Sequence, residues 1–288
     1  MASKMRTAKT NQGKKDSGPY LHGFSKKEQA RLLHQADFLE PYVYRGIDLE
    51  FTDSLLEVGC GVGAQTQILL RRFPKLQIKS VDLSTDQLNL AQRILAKSIR
   101  EGRVSLEQQD GQNLKLAKKD FDTAFLCWFL EHVPEPAKVM ATVMNHLKPG
   151  GRIYCTEVFN QTLFVEPYSP AFLKYWFEFN NLQWEIKGHP FVGASLGNLL
   201  LNAGFHDIQT EIRSFHFDSR QPEIRAAFTD YFHDILVSAE ASLLERKRVD
   251  KFLIREMAAE FDRVKKAKDS VFFYSYVRAT AVKPQKRK

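Results

Sequence analysis

Runs of apolar residues along this chain alternate with segments that carry apolar residues at helical spacing, which is typical of strands separated by amphipathic helices. The first run, "SLLEVG", leads into a glycine-rich turn, and the helix after it is predicted to end at Pro74. Strands that alternate with helices in this way form a parallel sheet with helices on both faces. The predicted strands lie within residues 54–59, 76–84, 103–110, 121–128 and 152–159.

The alternation stops after residue 159, where the chain becomes rich in aromatic residues. Ten of the 33 residues in 159–191 are aromatic, and this segment predicts a helical insertion. Two further strands are predicted later, which gives a doubly wound α/β fold with a mostly parallel, seven-stranded sheet and helical cap insertions. The predicted organisation is a core with an N-terminal helix in 20–158, an aromatic cap in 159–191, a core continuation in 192–221, a helical insertion in 222–267 and a final core strand in 268–282.

The net charge of +8 is confined to the two ends of the chain. Residues 1–19 carry five basic residues and one acid, residues 283–288 carry four basic residues, and the rest of the chain is neutral. Basic tails of this kind are expected to be disordered and solvated. We therefore expect nucleic acid to bind weakly at most, through the tails alone.

The composition also excludes several classes of protein. No apolar run approaches the ~18 residues that a membrane-spanning helix needs, and the N-terminus lacks the apolar segment of a secretory signal. The three cysteines are odd in number and widely separated, at Cys60, Cys127 and Cys155. They fit a reducing compartment and indicate neither a disulfide framework nor a metal site. A cytoplasmic protein without a membrane contact is expected.

The glycine-rich turn after the first strand indicates a ligand. Gly59, Gly61 and Gly63 have the spacing G-x-G-x-G, one residue shorter than the dinucleotide fingerprint, which suggests a nucleoside ligand without phosphates. Asp82 ends the second strand, where a carboxylate can accept both ribose hydroxyls, although it could instead cap the following helix. Asp110 ends the third strand, where it could meet an adenine amine.

An ordered set of motifs resembles class I S-adenosylmethionine-dependent methyltransferases: "LLEVGCGVGAQT", "SVDLS", "QQDGQNL", "FDTAFLCWFLEHVPEP" and "LKPGGRIY". The flanks are similar to a bacterial and archaeal small-molecule branch of that fold. The resemblance implies S-adenosylmethionine as cofactor, no metal, and methyl transfer by direct displacement. Trp128 departs from the family, because many relatives carry a small residue there. The cofactor contacts that follow are Tyr20, Glu57, Gly59, Gly61, Gly63, Asp82, Leu83, Asp110, Gly111, Cys127 and Trp128.

Candidates for the chemistry itself are polar residues near these motifs. Glu57 has two alternative roles, a water-bridged contact to the methionine amino group or an acceptor for loop amides. Gln87 could contact the cofactor, but a position on a helix surface is expected. A base is needed only where the acceptor must lose a proton. The candidate catalytic residues are His132, Glu157 and His189, and the candidate substrate contacts are Tyr168, Tyr175 and Trp176.

The cap in 159–191 is expected to cover the sulfonium and to form the acceptor pocket, because it leaves the fifth strand at the ligand-binding edge of the sheet. Its aromatic density predicts a small acceptor that is largely hydrophobic or aromatic. Two alternatives remain open: a methyltransferase that acts on RNA or protein, and a catalytically silent cofactor-binding partner. The sequence does not predict an oligomeric state.

Overall fold

A twisted sheet forms the centre of the protein in the computed structural model, which describes residues 21–23 and 25–285. The order of its main path is β3-β2-β1-β4-β5-β8, with β7 on the far side of β8. Strands from β3 to β5 pair in parallel, whereas β8 runs antiparallel to β5, β6 and β7. The strands are β1 Ser54–Val58, β2 Gln77–Asp82, β3 Val104–Gln108, β4 Phe121–Cys127, β5 Leu147–Val158, β6 Phe164–Glu166, β7 His206–Phe217 and β8 Val271–Val282.

This topology confirms the predicted mostly parallel α/β fold and adds one strand to it. The short strand β6 lies inside the segment that was predicted to be helical, and it continues the line of β5 along one side of β8. A strand of three residues is too short to show the alternation of apolar and polar residues by which a strand is predicted from sequence.

Helices cover both faces of the sheet. Ser25 caps α1, because its hydroxyl accepts a hydrogen bond from the Glu28 backbone N–H at 3.1 Å. In the described part of the chain, no helix has the length and apolar character needed to cross a bilayer. The helices are α1 Lys26–Val43, α2 Ala64–Arg72, α3 Thr85–Ile94, α4 Ala96–Arg100, α5 Pro136–His146, α6 Pro170–Glu185, α7 Leu196–Asn202, α8 Pro222–Ser238, α9 Glu240–Glu245 and α10 Lys251–Lys266.

Two boundaries differ from what the sequence pattern predicts. The sequence over 85–102 predicts one long helix that ends at Gly102, but it is divided at Leu95 into α3 and α4. The Pro-Gly-Gly sequence at 149–151 predicts the end of a helix, but it belongs to β5, which begins at Leu147. It pairs with the end of the chain: the Gly150 N–H donates to the Lys283 carbonyl, and the Lys283 N–H donates to Gly151.

The predicted basic tails fall mostly outside the described residues. Residues 1–19 and 286–288 are not described, so the expectation of disorder there stays a prediction. The prediction of a disordered tail is wrong for Lys283, because its backbone pairs with β5 and its ammonium donates to the Leu147 carbonyl at 2.7 Å. The first residue of the C-terminal basic segment therefore extends the pairing of β8 with β5.

The two predicted insertions pack against each other. The Phe172 ring on α6 meets Phe261 of α10 edge-on at 5.1 Å, and the Phe172 backbone N–H donates to the Glu260 carboxylate at 2.8 Å. Near the other end of α6, Arg248 pairs with Glu178 at 3.5 Å and also with Glu185. Because aromatic burial and ion pairs join them, the two insertions form one cap.

Two arginines of the sheet hold the C-terminal end of α1. The buried Arg278 guanidinium donates to the carbonyls of Val43 and Arg45, and Arg213 donates to the same Arg45 carbonyl at 2.7 Å. These carbonyls lack partners within the helix, and positive charge is favourable at this end of it. The arginines therefore fix α1 against β7 and β8.

We expect Arg278→Met to lower the free energy of unfolding by about 3 kcal/mol, because buried carbonyls would lose charged donors. Urea unfolding followed by circular dichroism measures this. Arg152→Met is a matched control, since Arg152 is exposed on β5, and its effect should stay within about 0.5 kcal/mol. Equal effects of the two substitutions would show that the hydrogen bonds of Arg278 to the end of α1 do not contribute to the free energy of unfolding.

Candidate active site

A cavity of about 440 Å³ lies at the carboxyl ends of the parallel strands. One side of it is formed by the loops that follow β1, β2 and β3, and includes Gly61, Asp82 and Asp110. The other side is formed by helices α1, α6 and α8 together with the end of β8. Its apolar rings are Trp176, Phe179, Tyr231, Phe232 and Tyr274.

The glycines after β1 have different roles. Gly59, Gly61 and Gly63 all have positive φ, at 78°, 52° and 78°. A Cβ atom on Gly59 would overlap the Phe129 ring, whereas one on Gly61 would meet nothing within 4 Å. Gly61 thus leaves open space on the cavity wall. Gly63 lies outside the cavity lining, and a Cβ there would meet Leu95 at 2.9 Å.

Asp82 organises the glycine loop. One carboxylate oxygen accepts the Gly61 N–H and the other accepts the Ser84 N–H, both at 2.8 Å. Burial raises the pKa of Asp82, and these hydrogen bonds oppose the shift. Each oxygen keeps a second lone pair, so the carboxylate fits a ribose diol. The alternative role as a helix cap is taken by Ser84, whose hydroxyl accepts the Gln87 N–H.

Asp110, Gly111 and Leu83 also line the cavity on this side. Asp110 accepts the backbone N–H of Gln112 at 2.9 Å, which holds the turn after β3. A Cβ on Gly111 would lie 2.8 Å from the Phe129 ring. The donor and acceptor groups present here fit a nucleoside without phosphates, because the carboxylates would repel a phosphate.

Glu57 lies behind the cavity, and among the described residues its carboxylate is bound by side-chain hydroxyls rather than by loop amides. Its carboxylate accepts hydrogen bonds from the hydroxyls of Thr66 at 2.6 Å and Ser80 at 2.7 Å. Burial raises the pKa of Glu57 to about 7. The side chain joins β1 to α2 and β2, and does not line the cavity.

Glu157 holds the loop that follows β4. Its Oε1 accepts the backbone N–H groups of Phe129 at 3.0 Å and Leu130 at 2.8 Å. Burial, with the nearby Glu131 carboxylate, raises the pKa of Glu157 to about 8. Glu157 is outside the cavity lining, and its hydrogen bonds hold the backbone of the loop after β4.

The loop that Glu157 holds carries several residues of the cavity wall. Cys127 and Trp128 line it, and Trp128 has a φ of 55° and packs edge-on against Tyr276 at 5.4 Å. His132 also lines it, with Nε2 3.6 Å from Glu131 Oε1. Glu131 itself was missed by the sequence analysis, which took the neighbouring histidine as the polar residue of this motif.

The remaining predicted residues divide between the cavity and its surroundings. Trp176 lines the cavity, and its Nε1 donates to the Asn160 carbonyl at 3.0 Å. Tyr175 is fully buried elsewhere, with its hydroxyl donating to the Leu236 carbonyl at 2.8 Å. Tyr168 is 69% exposed, and His189 packs against Trp184 outside the lining. Tyr20 lies outside the described residues.

Helices α1 and α3 also contribute side chains to the cavity wall. Gln87, expected on a helix surface, is buried in the lining and accepts a hydrogen bond from Gln29 at 3.1 Å. The apolar stripe of α1, with Leu32, Ala36 and Leu39, also faces the cavity. That stripe was visible in the sequence, but nothing in it separates a cavity wall from a packed core.

Comparison with known proteins assigns this architecture. Residues 56–155 match the family model described as a methyltransferase domain. These residues form a class I S-adenosylmethionine-dependent methyltransferase domain. It contains β2 to β4 and most of β1 and β5, with the glycine loop, Asp82, Asp110 and His132.

The methyltransferase domain has relatives that are themselves named methyltransferases. The chain is 29% identical to methyltransferase GfsG of Streptomyces halstedii over 44% of the chain and 45% of that protein. It is 28% identical to the O-methyltransferase cnsE of Penicillium expansum over 68% of the chain and 69% of that protein. The chain thus spans less than half the length of the first relative.

A solved structure shares the fold of nearly the whole chain. The phosphoethanolamine N-methyltransferase 2 of Haemonchus contortus, in complex with phosphomonomethylethanolamine and S-adenosylhomocysteine, superimposes with a TM-score of 0.57 at 17% identity. The match covers 93% of this chain and 61% of that one. The resemblance extends the methyltransferase fold beyond residues 56–155 to the cap.

We expect Asp82→Ala to weaken the binding of S-adenosylmethionine and S-adenosylhomocysteine alike by roughly 10- to 150-fold. The reason is the loss of charged hydrogen bonds worth about 1.5–3 kcal/mol. Isothermal calorimetry measures both affinities. Asp86→Ala, on the exposed start of α3, is the control and should bind as the wild type does. Equal binding by wild type and Asp82→Ala would contradict the assignment.

We expect stability to fall as the pH rises, because the folded state raises the pKa of Glu157 from 4.5 to about 8. A raised folded-state pKa contributes stability that is full below pH 4.5 and is lost as the pH passes 8. Glu157→Gln keeps an oxygen for the two loop amides, so it should flatten this decline between pH 5 and 9. Urea midpoints across that range test this, and parallel curves for the two proteins would contradict it.

Proposed function

We propose that the protein is an S-adenosylmethionine-dependent methyltransferase that acts on a small, largely apolar acceptor. One observation carries the proposal: a single continuous cavity combines loops that fit a nucleoside with a wall of aromatic rings. Ligand pockets of enzymes are typically apolar with a few polar groups that fix orientation. The Haemonchus contortus enzyme that shares the fold is named for a small-molecule substrate, phosphoethanolamine, which supports the same size class of acceptor.

The residues present would bind the donor along the carboxyl edge of the sheet. In this proposal Asp82 accepts the ribose hydroxyls, Asp110 accepts the adenine amine, and Gly61 allows the nucleoside to approach the backbone. Leu83, which is 41% exposed at the cavity, would cover one face of the base. When bound, S-adenosylmethionine supplies a methyl group on a positively charged sulfur, and the sulfur leaves with the electrons of the broken bond.

Positioning can supply most of the rate in such a displacement, up to ~7–11 kcal/mol in favourable intramolecular cases. The cap residues Trp176, Phe179 and Tyr231 would hold the acceptor against the donor and exclude water. His132 is the proposed base for an acceptor that must lose a proton, because it lines the cavity beside the Glu131 carboxylate. Glu157 would act through the loop it holds.

Enclosure of the cavity favours a small acceptor over RNA or protein. Three helices from different parts of the chain, α1, α6 and α8, contribute to the wall opposite the glycine loop. A polymer would need an open groove lined by basic residues, and among the described lining residues Arg31 is the one Lys or Arg. Its guanidinium is bound to both carboxylate oxygens of Glu28.

We expect Trp176→Ala to reduce acceptor turnover at least tenfold while the affinity for S-adenosylhomocysteine changes less than twofold, because Trp176 lies on the acceptor side. Phe177→Ala is the control, since the neighbouring Phe177 ring is 64% exposed on the outer face of α6. Transfer of a labelled methyl group to a fractionated metabolite extract measures turnover. Labelling confined to RNA or protein fractions, or no labelling at all, would contradict the proposal.

A further inference from the structure

Glu131 is a carboxylate in the lining of the cavity, next to the cap. It is 9% exposed. Its Oε2 accepts a hydrogen bond from Gln183 Nε2 at 2.9 Å, and its backbone carbonyl accepts the His189 N–H at 2.8 Å. Both contacts come from α6 and the turn after it, so the cap fixes where this carboxylate points.

Within the described part of the chain, no Lys or Arg side chain forms an ion pair with this carboxylate. Among residues 21–23 and 25–285, no Lys or Arg nitrogen lies within 4 Å of Glu131, and the nearest basic group is the His132 imidazole at 3.6 Å. The cation elsewhere in the lining, Arg31, pairs with Glu28 at 2.6 Å. A buried carboxylate without a cation is costly, so this site favours a ligand that supplies one.

The second carboxyl group in this region does not share the negative charge. Burial raises the pKa of Glu157 to about 8, with the Glu131 carboxylate as the next cause. Glu157 is therefore mostly protonated at neutral pH. Protonation of Glu157 relieves the repulsion between the two carboxyl groups.

Aromatic rings line the same cavity as Glu131. Burial and then the field of Glu131 raise the pKa of Tyr274. Burial also raises the pKa of Tyr231, where the Arg31 guanidinium opposes the shift and Glu131 adds to it. Trp176 and Phe179 stack on each other at 5.0 Å and complete this wall. The faces of such rings attract cations, and ammonium ligands are commonly bound by rings together with a carboxylate.

We propose that the acceptor is an amine with an apolar body, and that its ammonium group binds Glu131 among these rings. The inference rests on the proposed function of the cavity and narrows its substrate class. The amine must lose one proton before it can accept a methyl group, and that proton passes to the His132 imidazole beside Glu131. Glu131 is thus a recognition residue that selects charge.

The test uses two probes of equal shape, 2-phenylethylamine and 2-phenylethanol, titrated by calorimetry into the protein saturated with S-adenosylhomocysteine. The wild type should bind the amine at least tenfold more tightly than the alcohol. Glu131→Gln should remove this preference, since it keeps the shape and the Gln183 contact but loses the charge. Glu135→Gln, an exposed carboxylate paired with Lys138 nearby, should keep the preference.

Binding of the two forms of the cofactor separates the remaining explanations. Glu131→Gln should leave the affinity ratio of S-adenosylmethionine to S-adenosylhomocysteine unchanged. A loss of that ratio instead would identify Glu131 as the counter-ion of the sulfonium and overturn the proposal. An unchanged amine preference in Glu131→Gln, or no preference in the wild type, would also overturn it. Failure of the wild type to bind S-adenosylhomocysteine would instead refute the proposed function itself.

Discussion

The ring of Phe129 packs between two glycines of different loops, and the carboxyl edge of the sheet is arranged around this contact. A Cβ on Gly59 would overlap the ring, and one on Gly111 would lie 2.8 Å from it. The backbone N–H of Phe129 is in turn held by Glu157 at the end of β5. Loops from β1, β3 and β4 therefore keep one relative position, and that position sets the shape of the cavity.

The sequence predicted which residues lie on the cofactor side of the cavity. It did not predict the packing contacts that several of these residues also make. The motif predicted that Gly59 and Gly111 contact a ligand. In the structure both residues must also lack a side chain, because a Cβ on either would collide with the Phe129 ring. Glu57 was assigned to the ligand or to loop amides, and it instead binds two hydroxyls from α2 and β2. Strand ends and glycine spacing are local signals, whereas the partner of a buried carboxylate depends on tertiary packing.

The acceptor side was harder to predict for the same reason. Aromatic density in 159–191 indicated a cap, but it could not separate Trp176, on the cavity wall, from Tyr175, which hydrogen-bonds to α8, or Tyr168, which is exposed. Adjacent residues on a helix face different directions, so the choice depends on how α6 is rotated against α8 and α10. The contribution of α1 likewise depends on Arg278, more than 200 residues away.

One side of the cavity is formed by the loops that carry the sequence motifs, and the other side by helices from distant parts of the chain. We propose that both sides take part in one methyl transfer. A crystal structure of the protein with S-adenosylhomocysteine tests this most directly. We expect the ribose hydroxyls on Asp82, the adenine beside Asp110 and the sulfur directed toward Glu131 and Trp176. A nucleoside bound elsewhere, or one whose sulfur faces away from the aromatic wall, would contradict the account.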